Sequence, residues 1–255
     1  MSSGRTVPWL PARLRPARLS IVCFPCAGQG TSFFRGWKED VPPDVQLVPV
    51  ALPGREKRTI EAPVTSAVEL ARALLDDVGD LRAALGGPFA LFGHSMGAVI
   101  STALAAELVE RAWALPEALF VAAKVPPHLA RTRPVLHNLP DRELLEEVQK
   151  LDGLAKEVDY DDDLRAWAAA LLRADLTLTE GYRAPDDLRF PFPLRAFGGT
   201  EDSAVSAGDL AEWSRYSARP LPPVRFPGGH FFVRDGQVRS AFLGRLLSDT
   251  GIAHE

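Results

Sequence analysis

Short apolar runs alternate with helical patterns along most of this chain. The runs have the length of strands and lie at 19–24, 46–51, 89–92, 118–123, 193–197 and 223–226. Between the second and third runs, leucines at helical spacing predict one helix over 66–85 that passes through Gly79. Apolar strands separated by helices predict an α/β fold, with a mostly parallel central sheet covered by helices on both faces.

One long segment interrupts this alternation. Between Ala123 and Pro193 the pattern contains no convincing strand and instead predicts two helices, one opening at Asp141 and one near 164–172. We interpret the insertion, at approximately 126–186, as a helical lid that supplies the apolar wall of an acyl pocket. The alternative is that these helices simply continue the outer layer of the fold.

A Gly-x-Ser-x-Gly pentapeptide follows the third predicted strand. Residues 93–97 read Gly-His-Ser-Met-Gly, directly after an apolar run and directly before a stretch of small residues typical of a packed helix. In α/β-hydrolases a nucleophilic serine lies in this strand–turn–helix setting, where glycines let the strand and the helix come close together. The pattern therefore predicts that Ser95 is a nucleophile.

A nucleophilic serine needs a histidine base and an acid that orients it, and in α/β-hydrolases these follow in the order Ser, Asp or Glu, His. Asp202 and His230 each follow a predicted strand, in that order, and are expected at the same edge of the sheet as Ser95. Asp175 and Glu201 are alternative acids. We interpret the other histidines as structural or solvated; they are His94, His128, His137 and His254.

Backbone N–H groups near these residues are candidates for an oxyanion hole. The residue after the nucleophile, here Met96, supplies one donor in this type of site. A second donor is expected from the loop after the first strand, 25–30, which contains two glycines, and we select Ala27. A phosphate-binding loop is disfavoured, because neither Gly-x-Gly-x-x-Gly nor Gly-Lys-Ser/Thr occurs here.

Composition narrows the function classes. The 255 residues are 46% apolar, which suits one domain over 1–255, and a net charge of −4 without a basic run disfavours nucleic acid and anionic membranes as partners. No apolar stretch has the length of a signal-peptide core or a membrane span, so we expect a cytoplasmic protein. Cys23 and Cys26 are expected to be reduced thiols rather than a redox pair or a metal site.

Taken together, the motifs resemble those of the discrete type II thioesterases that accompany polyketide synthases and non-ribosomal peptide synthetases. The matching stretches extend from Phe24 to Phe231, in the order of the family, and lie at 24–28, 52–56, 93–98, 172–175, 198–205 and 228–231. The stretch Leu-Pro-Gly-Arg-Glu at 52–56 points most specifically to this family, because serine hydrolysis itself does not require it.

The resemblance implies an α/β-hydrolase fold and hydrolysis of acyl groups held as thioesters on the phosphopantetheine arm of an acyl or peptidyl carrier protein. The function in the family is to clear stalled or mis-primed acyl units. The residue roles that it implies are a triad of Ser95, Asp202 and His230, oxyanion donors Met96 and Ala27, and a structural role for Asp175. This chemistry needs no metal or other cofactor, and we expect a monomer.

Two further functions stay open. One is a different serine hydrolase or an acyltransferase, such as a general esterase or an acyl-CoA thioesterase, because the triad does not choose the acyl acceptor. The other is a non-catalytic module that binds carrier proteins, although such a module has no need of a complete triad.

A carrier-protein partner raises a question of charge. Carrier proteins are typically acidic, so docking on a chain of net charge −4 requires a local basic patch. The candidate residues for this patch are Arg55, Lys57, Arg58, Arg131 and Arg133.

Overall fold

A seven-stranded sheet forms the centre of the protein. The computed structural model describes residues 8–130, 132, 134–151 and 162–252. The strands are β1 (Leu19–Phe24), β2 (Val45–Pro49), β3 (Phe89–His94), β4 (Leu119–Ala122), β5 (Phe190–Gly199), β6 (Ser217–Pro220) and β7 (Val224–Phe226). Their order is β2-β1-β3-β4-β5-β6, and β7 pairs with the last residues of β5. All strand pairs in the described residues are parallel, which confirms the predicted α/β sheet.

Helices cover both faces of this sheet. They are α1 (Ala67–Val78), α2 (Leu81–Leu85), α3 (Met96–Glu110), α4 (Pro127–Ala130), α5 (Asp141–Gln149), α6 (Asp162–Gly181), α7 (Ala207–Ala211) and α8 (Gly236–Asp249). Successive strand residues point to opposite faces. Val22 and Leu91 pack with α1 and α3 on one face, whereas Phe92 and Phe197 pack with α8 on the other. Within the described part of the chain, no helix has both the length and the apolar character needed to cross a membrane.

The predicted single helix over 66–85 is wrong, because the chain breaks at Gly79. Gly79 has a φ of 76° and a ψ of −151°, a conformation that residues with a Cβ rarely adopt, and it ends α1. Asp80 then begins α2, since its carboxylate accepts a hydrogen bond from the Ala83 N–H at 2.9 Å. The leucine spacing continues across the break, so the hydrophobic pattern alone does not reveal it.

The segment between β4 and β5 is helical, as the sequence predicts. α5 begins at the predicted residue, whereas α6 runs from Asp162 to Gly181 and is much longer than the predicted 164–172. α5 and α6 share a small apolar cluster of their own, and Leu178, near the C-terminal end of α6, joins the main core. The acidic connection between the two helices, 152–161, lies outside the described residues.

Two glycine substitutions test this account of the helices. Gly79→Ala forces a side chain into a backbone conformation that favours glycine, and we expect it to lower the free energy of unfolding by about 1–3 kcal/mol. Gly244→Ala lies in α8 with nothing within 4 Å of the added Cβ, and should raise this free energy by about 0.5–1 kcal/mol. Urea unfolding followed by circular dichroism measures both. Equal effects of the two substitutions would contradict the break at Gly79.

Candidate active site

Ser95 lies on a strained turn between β3 and α3. Its φ of 53° and ψ of −110° are unusual for a residue with a Cβ. A Cβ added to Gly93 would lie 2.0 Å from the Gly97 carbonyl oxygen, and a Cβ added to Gly97 would lie 2.1 Å from the Phe24 carbonyl oxygen. Only glycine fits at either position. The turn therefore holds α3 directly against the ends of two central strands and turns Ser95 outward at the carboxyl edge of the sheet.

His230 and Asp202 complete a hydrogen-bonded line from Ser95. The Nε2 atom of His230 lies 3.1 Å from Ser95 Oγ, and its Nδ1 atom lies 3.0 Å from Asp202 Oδ2. The other Asp202 oxygen accepts the Ala204 N–H at 2.9 Å, which fixes the carboxylate plane. With an ionised Asp202, Nδ1 carries the proton and donates it, so the Nε2 lone pair faces the serine hydroxyl.

Two loops bring the acid and the base together. Asp202 follows β5 and His230 follows β7, and these two strands are neighbours in the sheet. The Glu201 N–H donates to the Gly228 carbonyl at 2.9 Å, and a Cβ on Gly199 would lie 2.2 Å from that same oxygen. The close backbone contact between the loops sets the distance between the two side chains.

The alternative site residues lie elsewhere. Asp175 pairs with Arg55 and not with His230, and the side chain of Glu201 is exposed. His128 contacts the Tyr216 hydroxyl and His137 contacts Glu180. His254 lies outside the described residues. Within the described residues, the structure thus brings together the three residues selected from the sequence, whereas Asp175, His128 and His137 pair with other groups.

A cavity of about 580 Å³ opens at Ser95. Ala27 and Met96, the two predicted oxyanion donors, line it together with Ser95 and His230. Met96 is the first residue of α3, so its N–H points out of the helix N-terminus, where the helix dipole favours negative charge. Both predicted donors therefore border the space in which an oxyanion would form.

The segment between β4 and β5 supplies more than half of the residues that line this cavity. Most of these wall residues are apolar, among them Leu139, Leu151 and Leu176. Glu180 on α6 stabilises the wall, because its carboxylate accepts the backbone N–H of Leu136 at 2.9 Å and ties the connection before α5 to α6. The cavity is a largely apolar slot that ends at the serine, which suits an acyl chain.

Comparison with known proteins identifies the family of this chain. A family model described as "Thioesterase domain" matches residues 20–247, most of the chain. The chain belongs to the thioesterase family. The gramicidin S biosynthesis protein GrsT of Aneurinibacillus migulanus is 32% identical to it, over 87% of this chain and 85% of GrsT.

Solved structures refine the assignment within the thioesterases. RedJ, a thioesterase of the prodiginine pathway in Streptomyces coelicolor, is 35% identical with a TM-score of 0.81, covering 94% of this chain and 89% of RedJ. The type II thioesterase BorB of the borrelidin cluster is 32% identical with a TM-score of 0.81, covering 95% of this chain and 97% of BorB. The predicted α/β-hydrolase fold and the resemblance to type II thioesterases of polyketide and peptide pathways are thereby confirmed, and the protein is a thioester hydrolase of the serine-hydrolase type.

The basic patch considered for docking is smaller than the sequence suggests. Arg55 and Arg58 are both buried, each with 5% exposure, so neither presents its charge to a partner. Arg58 pairs with Glu61 and stacks on Trp9 at 4.1 Å from the ring centroid. Lys57 is exposed. Arg131 and Arg133 lie outside the described residues.

His94 is a buried histidine beside the site. Its ring stacks on Phe231 and meets the His230 ring edge to face, with centroids 5.5 Å and 5.6 Å away. Neither ring nitrogen has a hydrogen-bond partner within the described residues. Burial, with the nearby charges of His230 and Arg234, holds the pKa of His94 well below 6.5. The thioesterase therefore buries a neutral imidazole next to its candidate base.

This burial predicts a loss of stability on acidification. Unfolded His94 takes up a proton near pH 6.5 whereas folded His94 does not, so its contribution is present above that pH and is lost as the pH falls below it. Below pH 6.5, the wild type should lose stability relative to His94→Phe, which cannot titrate, with a slope that approaches about 1.4 kcal/mol per pH unit once unfolded His94 is fully protonated. Urea unfolding at each pH measures the difference, and a difference independent of pH would contradict the prediction.

The two cysteines are free and buried, consistent with the expected reduced thiols. Burial raises the pKa of Cys26 to about 12 and that of Cys23 further still. A protonated, inaccessible thiol is a poor nucleophile. We expect neither cysteine of the folded enzyme to react with iodoacetamide at pH 8, and both to react in concentrated urea. Intact mass spectrometry counts the adducts, and rapid modification of the folded enzyme would contradict the assignment.

Proposed function

We propose that this thioesterase removes stalled or aberrant acyl groups from the phosphopantetheine arm of acyl or peptidyl carrier proteins, with Ser95, His230 and Asp202 as its triad. The observation that carries this proposal is the hydrogen-bonded line of 3.1 Å and 3.0 Å that ends at a serine on the floor of an apolar cavity. The similarity to GrsT, a gramicidin S biosynthesis protein, and to BorB, the type II thioesterase of the borrelidin cluster, supports the carrier-bound substrate.

Acylation begins at Ser95. The Nε2 atom of His230 takes the Ser95 proton while Oγ attacks the carbonyl carbon of the thioester, and Asp202 stabilises the imidazolium that forms. The N–H groups of Met96 and Ala27 donate to the oxyanion of the tetrahedral intermediate. The C–S bond then breaks, the sulfur leaves with the proton from His230 as the free phosphopantetheine thiol, and the acyl group stays on Ser95 as an ester.

Deacylation repeats the same steps with water. His230 takes a proton from a water molecule, whose oxygen attacks the acyl carbon and forms a second oxyanion in the same hole. Collapse of this intermediate returns the proton from His230 to Ser95 Oγ and releases a carboxylic acid. Each half-reaction passes through one oxyanion, so both depend equally on the orientation of the two donors.

The segment at 126–186 acts as a lid over the acyl chain within one domain, 1–255. Its helices α5 and α6 border the cavity, and their shared apolar cluster includes the partly buried Ala27 of the oxyanion loop. A chain bound against Leu139 and Leu176 would be shielded from water up to the thioester carbon. Acyl preference is then set mainly by this segment.

All of the groups in this mechanism come from one chain, which supports a monomer as the working unit. The reaction needs neither a metal nor another cofactor, because the thiol is a good leaving group and the oxyanion is stabilised by N–H donors. The carrier is the partner, in the cytoplasm, with no part for nucleic acid or a membrane; the net charge of −4 argues against both. Exposed Lys57 is a contact for an acidic carrier.

The proposal is tested on a panel of acyl-phosphopantetheinyl carrier proteins. Ser95→Ala and Asp202→Asn should each lower kcat about 10⁴-fold or more, since one removes the nucleophile and the other the group that fixes the histidine tautomer. Glu201→Gln is the matched control, because this neighbouring carboxylate is exposed; its kcat should stay within about twofold of wild type.

The other candidate functions give different results in the same assay. Cleavage of simple esters without turnover of any carrier substrate would indicate a general esterase. Transfer of the acyl group to an added amine or alcohol would indicate an acyltransferase. Binding of carriers without any turnover would indicate a non-catalytic module, and each of these three results would overturn the proposal.

A further inference from the structure

The loop that carries Ala27 is a tight turn that depends on one peptide plane. The Gln29 N–H donates to the Cys26 carbonyl at 3.2 Å, which closes a turn with Ala27 and Gly28 at its centre. Gly28 has a φ of 73°, as the third residue of a type II turn requires. In such a turn the plane of the central peptide, between Ala27 and Gly28, decides the turn type. The Ala27 N–H lies in the preceding peptide, so its position depends on the turn being held as a whole.

Asp175 and Arg55 hold this turn from outside. Asp175 Oδ2 accepts the Gly28 N–H at 2.8 Å, so a carboxylate fixes the central peptide. Arg55 binds the same carboxylate through two hydrogen bonds, of 2.7 Å and 2.8 Å, and also donates to the Gln29 carbonyl at 3.2 Å. The pair therefore binds the turn at two points, the Gly28 N–H through Asp175 and the Gln29 carbonyl through Arg55.

The pair is buried and its charges are balanced. The Arg55 side chain is 5% exposed and that of Asp175 is 1% exposed. An unpaired carboxylate next to the turn would repel the negative charge that develops on the substrate oxygen. Because Arg55 neutralises Asp175, the carboxylate can orient the Gly28 peptide without opposing the oxyanion.

Glu56 holds the residues that follow the turn. Its carboxylate accepts the N–H groups of Thr31 and Ser32 at 3.0 Å and 2.9 Å, and the Thr31 hydroxyl at 2.6 Å. A Cβ on Gly30 would lie 2.5 Å from this carboxylate, so a larger residue there would displace the Glu56 side chain from these hydrogen bonds. Consecutive residues of the Leu-Pro-Gly-Arg-Glu stretch thus hold the oxyanion loop at Gln29 and the residues directly after it, Thr31 and Ser32.

We infer that Arg55 and Asp175 are positioning residues, which hold the Cys26–Gln29 turn in the form that directs the Ala27 N–H toward the oxyanion, with Glu56 bracing the following residues. The inference rests on the proposed function, in which Ser95 is the nucleophile and Ala27 a donor. Neither Arg55 nor Asp175 lines the cavity at Ser95, so their loss should act on the transition state and leave binding of the carrier almost unchanged.

Conservative variants test this role. Arg55→Lys keeps the positive charge but loses the bidentate pair of hydrogen bonds to the Asp175 carboxylate. Asp175→Asn keeps an acceptor for the Gly28 N–H but loses the ion pair with Arg55. We expect each to lower kcat about 10- to 100-fold, less than complete loss of an oxyanion donor, with KM within about threefold of wild type. In Glu56→Gln only one of the two side-chain atoms that now accept hydrogen bonds from Thr31 and Ser32 remains an acceptor. We expect this variant to lower kcat about 3- to 10-fold.

A second measurement reports on the oxyanion itself. An alkyl trifluoromethyl ketone adds to the serine and places an oxyanion in the hole, whereas the matching methyl ketone reports ordinary binding. The affinity for the trifluoromethyl ketone should fall in Arg55→Lys and Asp175→Asn by the same factor as kcat. The affinity for the methyl ketone should stay at the wild-type value.

The chain offers a matched control pair. Arg195 and Asp249 form another buried ion pair, 3% and 8% exposed, with Nη2 and Oδ1 2.7 Å apart. Here Arg195 also donates to the Pro222 carbonyl, just before β7, rather than to the oxyanion loop. Arg195→Lys and Asp249→Asn should lose stability in urea unfolding to a degree similar to Arg55→Lys and Asp175→Asn. Their kcat and their affinity for the trifluoromethyl ketone should stay within about twofold of wild type.

Two results would overturn the inference. Folded Arg55→Lys and Asp175→Asn enzymes with wild-type kcat and ketone affinity would show that the turn does not need the pair. Equal losses of kcat in the control pair would show that any buried ion pair has this effect. Failure of the proposed function looks different: Ser95→Ala would then be as active as wild type, or the wild type would turn over no carrier substrate.

Discussion

The contact between the N-terminus of α3 and the ends of β1 and β3 is the constraint on which the site depends. The Cβ positions of Gly93 and Gly97 would lie 2.0 Å and 2.1 Å from backbone atoms, so the two strands and the helix meet at a distance that no larger residue allows. This contact holds Ser95 at a φ of 53°, a strained conformation that persists only because the surrounding structure enforces it. The Ser95 N–H donates to the Ala122 carbonyl at 2.8 Å, which fastens the turn to β4 as well. The sheet edge thus sets the position of Ser95, the proposed nucleophile, and loops after β5 and β7 bring the proposed acid and base, Asp202 and His230, to it.

α6 contributes to two parts of the site, the apolar wall of the cavity and the support of the oxyanion loop. Leu176 and Thr179 form part of the acyl wall, and Asp175, beside them on the same helix, binds the oxyanion loop. Leu172, one turn earlier, would contact a Cβ on Gly28 at 3.0 Å, so the helix also packs directly on the turn. A shift of α6 in response to an acyl chain would therefore reach the oxyanion donors without any intermediate element. The acyl wall and the oxyanion loop share one rigid support.

The sequence predicted those features that follow from local pattern. β1 has the predicted bounds because it is buried on both faces and reads as one apolar run, and Ser95, Asp202 and His230 could be selected because each follows such a run. β6 was missed, since three of its four residues are exposed and it ends in proline. The break at Gly79 was missed because the leucine spacing continues through it. The pairing of Arg55 with Asp175 spans 120 residues of sequence, and only the fold reveals which of many arginines and carboxylates meet. The Leu-Pro-Gly-Arg-Glu stretch was the available signal, but it marked the family without indicating the contact.

Burial of an ion pair does not by itself indicate a role in the reaction, as the two buried arginine–aspartate pairs of this enzyme show. Replacing such a pair with apolar residues is often neutral or stabilising, because desolvation of two charges offsets their attraction. Arg195 and Asp249 pair with each other. Arg195 also donates to a carbonyl of the loop before β7, and Asp249 also pairs with Arg245. Asp175 instead directs one oxygen to the backbone N–H of Gly28, in the turn that carries the proposed oxyanion donor Ala27. An apolar pair could fill the same space, but it could not hold that peptide plane. This difference in what the charges bind, rather than their burial, separates a positioning pair from a structural one.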